Sequence, residues 1–301
     1  MKRRIVVAGN GAWGQALAHV ANEAGHKVVT WTRQGSDYTS FANFDAIILA
    51  VPAQSLREVV TALKPPKHVP LIIAAKGIEQ QSALFMNEVV KEVAPDSKSY
   101  VLSGPSFAAD VLKGLPTAVT LAAPTPAEAS EWASELTLPT FRVYGSDDVL
   151  GVEIGGALKN VLAIACGISD GRGLGDSARA ALTTRGFAEL MRFGKKLGAK
   201  PETLTGLSGL GDLLLTCSSK KSRNYSFGFG IGQGLTVREA LVLARGVVEG
   251  AHTVKVAHMM SLSQGVDMPI VSAVSAIVVR GMDPAQEIAR LLARPVREEI
   301  R

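Results

Sequence analysis

Apolar residues in the first half of the chain fall in short runs without period-two alternation, over 4–8, 27–31, 46–51, 71–75, 99–102, 118–122 and 141–144. Strands buried on both faces of a parallel sheet read this way, because neither face is left for polar side chains. Between the runs, 12–23 and 82–93 carry helical spacing, so this half predicts βαβ units. Beyond Gly145-Ser146-Asp147-Asp148 the strand signals stop, and 149–168, 177–197, 236–244, 253–264, 270–279 and 284–292 read as helices. The fold class is therefore α/β: an N-terminal Rossmann-type domain with a mostly parallel sheet over 1–148, then an all-helical C-terminal domain over 149–301 with a cleft between them. Asp147 or Asp148 is placed to cap the first long helix, and the glycine-rich piece 228–234 reads as a mobile loop.

The bulk numbers narrow the classes. A chain of 301 residues, 47% hydrophobic and 20% charged, can bury two cores. Its net charge of +5 comes from lysines and arginines scattered without any block of five or six, which fits a small phosphorylated ligand and argues against a nucleic-acid surface. Lys2-Arg3-Arg4 before an apolar run has the outline of a secretory leader, but Gly9-Asn10-Gly11 ends that run early. Neither a signal peptide nor a membrane span is expected. Cys166 and Cys217 make no metal or disulfide pattern, which suits a reducing cytoplasm; no metal is expected, and a homodimer stays an open option.

Directly after the first strand comes Gly9-Asn10-Gly11-Ala12-Trp13-Gly14, opening a helix. Such a turn lets backbone approach a pyrophosphate at the helix N-terminus, so Gly9, Gly11, Ala12, Trp13 and Gly14 are candidate dinucleotide contacts. A second strand that prefers NAD ends in a carboxylate for the ribose 2′-hydroxyl; here it ends Trp31-Thr32-Arg33. Arg33 can meet a 2′-phosphate instead, which favours NADP(H) and leaves NAD(H) as an alternative should Arg33 only stack on adenine.

One run in the second half puts a lysine and an amide in an otherwise apolar helix: Glu153-Ile154-Gly155-Gly156-Ala157-Leu158-Lys159-Asn160. Desolvation there lowers a lysine pKa toward values useful for proton transfer, which makes Lys159 a candidate general acid. The alternative is that Lys159 snorkels to the surface or pairs with Glu153. Further polar strings lie against glycine: Lys76-Gly77-Ile78-Glu79, Ser103-Gly104-Pro105-Ser106-Phe107-Ala108, Gly209-Leu210-Gly211-Asp212 and Ser222-Arg223-Asn224. Each alone reads as a capped turn as readily as a site.

Taken in order, with Gly211-Asp212-Leu213-Leu214-Leu215-Thr216-Cys217 and Val248-Glu249-Gly250, these strings resemble the NAD(P)-dependent glycerol-3-phosphate dehydrogenases of bacterial type. The resemblance implies reversible reduction of dihydroxyacetone phosphate to sn-glycerol 3-phosphate, feeding glycerophospholipid synthesis. By position it implies Lys159 as proton donor and acceptor, Lys76 as a second cation, and Asn160, Asp212 and Thr216 as a polar frame. It further implies Arg223 and Asn224 as a phosphate grip, with Gly104, Ser106 and Ser222 on the substrate. On the cofactor side it points to Trp13, Arg33, Lys76, Ala108, Arg223, Val247 and Glu249.

One departure stands out: only Gln34 to Phe44 separate Arg33 from the next strand, where the family carries a longer segment with a helix. Two rivals remain. A two-domain dehydrogenase for a β-hydroxyacid or ketopantoate-like substrate is disfavoured by Ser222-Arg223-Asn224. A non-catalytic NADPH-binding module is disfavoured by Lys76, Lys159 and Asp212 occurring together.

Overall fold

The computed structural model describes residues 2–33 and 41–295. Seven strands, β1 (Arg4–Ala8), β2 (Lys27–Trp31), β3 (Ala46–Leu49), β4 (Leu71–Ile73), β5 (Ser99–Ser103), β6 (Thr117–Ala122) and β7 (Phe141–Ser146), form one sheet in the order β2-β1-β3-β4-β5-β6-β7. All neighbours run parallel except β5 and β6. The central strands β3, β4 and β5 are buried along their whole length, as runs without alternation require. Helices α1 (Ala12–Glu23), α2 (Leu56–Leu63), α3 (Met86–Val93), α4 (Ala108–Leu112) and α5 (Pro126–Leu136) fall between the strands. Alternate strand residues feed two cores: Val6, Ile47, Leu49, Leu71 and Ile73 pack with Val59 of α2 and Val89 of α3, while Ile5, Val7, Ile48 and Ile72 pack with Leu17 of α1 and Trp132 of α5.

After β7 the described chain is helical: α6 (Val149–Gly171), α7 (Asp176–Leu197), α8 (Pro201–Thr205), a π-helical turn over Leu207–Gly211, α9 (Asp212–Cys217), α10 (Arg223–Gly232), α11 (Val237–Leu243), α12 (Glu249–Ser263), α13 (Pro269–Arg280) and α14 (Pro284–Leu292). Asp148 caps α6, its Oδ1 accepting from the Gly151 amide at 2.9 Å and its Oδ2 from the Lys200 amide at 2.8 Å. Helix α6 is long and apolar enough to cross a membrane by length and composition, but 89% of that window is packed inside the protein. It forms the axis of a third core with Leu190 and Phe193 of α7, Leu213 of α9 and Phe227 of α10.

The expectation of a loop over 228–234 is corrected, since 223–232 is helix. Gly228 and Gly232 are there for close approach. A Cβ on Gly228 would lie 2.1 Å from the Ile164 carbonyl oxygen and one on Gly232 2.4 Å from that of Ile168; reciprocally, Gly167 and Gly171 of α6 face the carbonyls of Tyr225 and Phe229 at 2.1 and 2.3 Å. Backbone contact between α6 and α10 thus offsets the roughly 1 kcal/mol per residue that glycine costs a helix.

Candidate active site

The glycine turn is built by β1, β3 and α1. Gly9 has φ +115°, and a Cβ there would lie 2.4 Å from the Ala50 carbonyl oxygen; a Cβ on Gly14 would lie 2.1 Å from the Gly9 carbonyl oxygen. Both positions therefore need glycine. Gly11, by contrast, faces open space, and it caps α1 without any side-chain hydrogen bond, leaving the first-turn amides of Ala12 and Trp13 directed outward. The buried Trp13 Nε1 has no hydrogen-bond partner among the described residues. These features fit a dinucleotide: a narrow backbone cradle, a helix N-terminus and an unmatched donor. The turn is fixed to the end of β2 by the Gly9 amide donating to the Trp31 carbonyl at 3.0 Å. Just beyond, Arg33 Nη1 donates to Glu58 Oε2 of α2 at 2.6 Å, an ion pair with both side chains more than half exposed. Ala108 begins α4, and Val247 is exposed in the segment leading to α12.

The polar centre is assembled around α6. Gly155 lets the π-helical turn approach, since a Cβ there would lie 2.5 Å from the Ser208 carbonyl oxygen; Gly156 leaves room for the Lys76 chain, whose Cγ would be 3.4 Å away. That turn delivers Asp212 into the first turn of α9, only 1% exposed. Its carboxylate is shared: Lys159 Nζ donates to Oδ1 at 2.6 Å and Lys76 Nζ to Oδ2 at 2.7 Å. Thr216 donates its hydroxyl to the Asp212 carbonyl at 2.6 Å and accepts from Lys159 Nζ at 3.0 Å; Lys76 also donates to the Gly104 carbonyl at 3.0 Å. Burial pushes the Lys159 ammonium down to about 8, with the Lys76 charge adding to the shift and Asp212 opposing it. Of the sequence alternatives for Lys159, the structure shows neither. Glu153 accepts instead from the Asn87 amide at the start of α3 at 2.7 Å, where burial pushes its carboxyl up to about 8.

Two ammonium groups on one carboxylate leave this largely buried centre net positive, which suits an anionic ligand. Gly104, at φ +150°, could not carry a Cβ, which would meet Val119 Cα at 2.7 Å; Ser106 donates to its carbonyl at 3.1 Å. Asn160 and Asn224 are buried partners, Asn224 Nδ2 donating to Asn160 Oδ1 at 2.8 Å while its Oδ1 accepts from the Gly250 amide at 2.9 Å. Ser222 caps α10 through the Tyr225 amide, and Arg223 stands exposed at that helix's first position. Glu249 Oε1 accepts from the Ala53 amide at 3.0 Å, while its buried Oε2 and the buried Thr253 Oγ1 have no hydrogen-bond partner among the described residues. Burial pushes the Glu249 carboxyl up to about 7, against the Ala53 amide and the Arg223 charge. Glu79, which shares a string with Lys76, belongs to a brace instead: Arg57 Nη2 donates to it at 2.8 Å. Glu58 and Thr253 were not legible in the sequence as neighbours of these residues: the first stands in a helix too short to register, the second one turn past Glu249 on the same helix face.

The family models place this architecture. The model described as NAD-dependent glycerol-3-phosphate dehydrogenase C-terminus matches residues 148–289, and the corresponding N-terminus model matches 4–43 and 36–129. The chain belongs to the NAD-dependent glycerol-3-phosphate dehydrogenase family. It is 45% identical over 327 aligned positions to glycerol-3-phosphate dehydrogenase [NAD(P)+] of Parvibaculum lavamentivorans, covering 99% of this chain and 98% of that one. Its identity to the enzyme of that name in Beijerinckia indica is 47% over 329 positions, with 99% and 98% covered. Among solved structures, glycerol-3-phosphate dehydrogenase of Coxiella burnetii superposes with a TM-score of 0.91 at 35% identity, over 97% of this chain and 99% of that one. The chain is thus an NAD(P)-dependent dehydrogenase of this family. The N-terminus match divides over 36–43, where the sequence departs from the family pattern, and both alignments run longer than the 301 residues present. Of the shortened connection, residues 34–40 lie outside those described.

Proposed function

We propose that the chain reversibly reduces dihydroxyacetone phosphate to sn-glycerol 3-phosphate in the cytoplasm, feeding glycerophospholipid synthesis, with Lys159 as proton donor and acceptor. The observation that carries this reading is the Asp212 carboxylate shared by Lys159 and Lys76 at 2.6 and 2.7 Å. NAD(P)H, held along the Gly9–Gly14 turn, supplies the hydride. Charge growing on the substrate oxygen is met by the Lys159 ammonium, whose position Asp212 and Thr216 fix and whose third hydrogen serves the substrate. Lys76 keeps the pocket positive throughout. Arg223, with Asn224 beside it and Ser222 capping the same helix, takes the phosphate, which anchors the substrate away from its reacting carbon. A panel decides the reading: NADPH oxidation is expected with dihydroxyacetone phosphate and not with dihydroxyacetone or ketopantoate. Equal rates on a substrate without phosphate would overturn it.

Two substitutions separate the ligands. Arg223→Ala is expected to raise the KM for dihydroxyacetone phosphate by about thirtyfold, the equivalent of about 2 kcal/mol for a charge-assisted pair, with a smaller change in kcat. An unchanged KM together with weakened NADPH binding would assign the residue to the cofactor alone. Arg33→Ala is expected to narrow a preference of the wild type for NADPH over NADH, measured as the ratio of kcat/KM values. No change in that ratio would remove Arg33 from cofactor choice.

A further inference from the structure

The end of β2 lacks the carboxylate that receives the ribose hydroxyls in NAD-preferring sites, yet a carboxylate stands beside it in space. Glu58 reaches Arg33 from the first turn of α2, with Oε2 2.6 Å from Nη1. Arg33 follows β2, whose Trp31 carbonyl accepts from the Gly9 amide, and Ala50, just past β3 on the way to α2, packs against the Gly9 backbone. We propose that Glu58 is a cofactor-specificity residue, returning from a neighbouring helix the acceptor missing from strand two. The inference rests on the dinucleotide site proposed above and deepens it.

The physics is a competition for one guanidinium. Side-chain exposures of 52% for Arg33 and 69% for Glu58 leave the pair solvated, so it is weak and opens readily to a ligand. A 2′-phosphate must take Arg33 from Glu58 and then lie near a like charge, which works against NADP(H). A free 2′-hydroxyl is neutral and donates to the carboxylate, which favours NAD(H). Arg33 and Glu58 thus pull in opposite directions, and the pair as a whole admits both cofactors. Arg33 alone favours NADP(H), and Glu58 supplies the pull toward NAD(H).

Direct binding tests this without turnover. Dissociation constants of NADPH, NADH, 2′,5′-ADP and 5′-AMP are measured by calorimetry on the intact wild-type protein, Glu58→Ala and Glu58→Gln. Glu58→Ala is expected to tighten NADPH and 2′,5′-ADP and to weaken NADH and 5′-AMP, moving the NADPH to NADH ratio by about tenfold, the scale of one hydrogen bond to a charged group. Glu58→Gln removes the charge and keeps a neutral acceptor, so it should tighten the phosphorylated pair and weaken the other two less than Glu58→Ala does. A residue that only braces α2 would move all four ligands together, and one that only braces Arg33 would weaken the phosphorylated pair alone; either result would overturn the proposal. Unmoved constants in both variants would do the same while leaving the dinucleotide site standing. A wild type that binds none of the four would sink the site itself.

Discussion

Lys159→Met is expected to fold, to bind NADPH with near wild-type affinity and to lose turnover. Methionine keeps the length and apolar stem of lysine in a helix that is buried along nearly its whole length, and Asp212 keeps Lys76 as an ionic partner at 2.7 Å. Loss of general-acid help lowers kcat by about 10²- to 10⁴-fold, and loss of the cation that meets the developing alkoxide adds to that. The wild-type pH profile should carry the same group. With the Lys159 ammonium held down to about 8, reduction needs its protonated form and should fall as pH rises through that value. Oxidation of glycerol 3-phosphate needs the neutral amine and should fall as pH drops through it. Near wild-type kcat in Lys159→Met would refute the assignment and move attention to Lys76; a reduction rate flat between pH 7 and 9 would separate Lys159 from the proton.

Much of this was legible in the chain because the signals are local. Strands buried on both faces announce themselves as unbroken apolar runs, and the glycine turn is specified by steric needs at Gly9 and Gly14 that no other residue meets. A lysine inside an apolar helix likewise needs no partner to be noticed. What periodicity could not supply was the partner. Glu153 is the nearest acid in sequence, but six positions turn a helix about 120° away, so it faces α3 while Lys159 faces α9. Asp212 reaches Lys159 only because a π-helical turn folds against Gly155, a contact between residues far apart in the chain. The same limit explains the misread segment over 228–234. Four glycines signal a loop when counted along the sequence, yet three of them lie in α10, where Gly228 and Gly232 are needed because the carbonyls of α6 pack against them. The antiparallel pairing of β5 with β6 was hidden as well, since a run without alternation carries no direction.

Asp212→Asn should be the most disruptive single change at the site that preserves shape. Asparagine fills the same volume at a position 1% exposed, but it removes the only charge that balances Lys159 and Lys76 among their described partners. Breaking a buried ion pair by neutralising one partner costs about 3–5 kcal/mol, because the remaining charge stays desolvated. Two ammonium groups are left here, so a clear drop in melting temperature is expected. The functional effect has its own sign. Asp212 holds the Lys159 pKa up against burial and the charge of Lys76, and without it the ammonium loses protons at lower pH. The alkaline limb of the reduction profile should therefore move to lower pH, and kcat at pH 7.5 should fall by at least tenfold, since both the proton and its aim are lost. A residue that only supported the fold would lower stability and leave the limb where it was. Recording thermal unfolding and the pH profile on the same variant distinguishes the two, and an unmoved limb would strip Asp212 of its part in tuning Lys159.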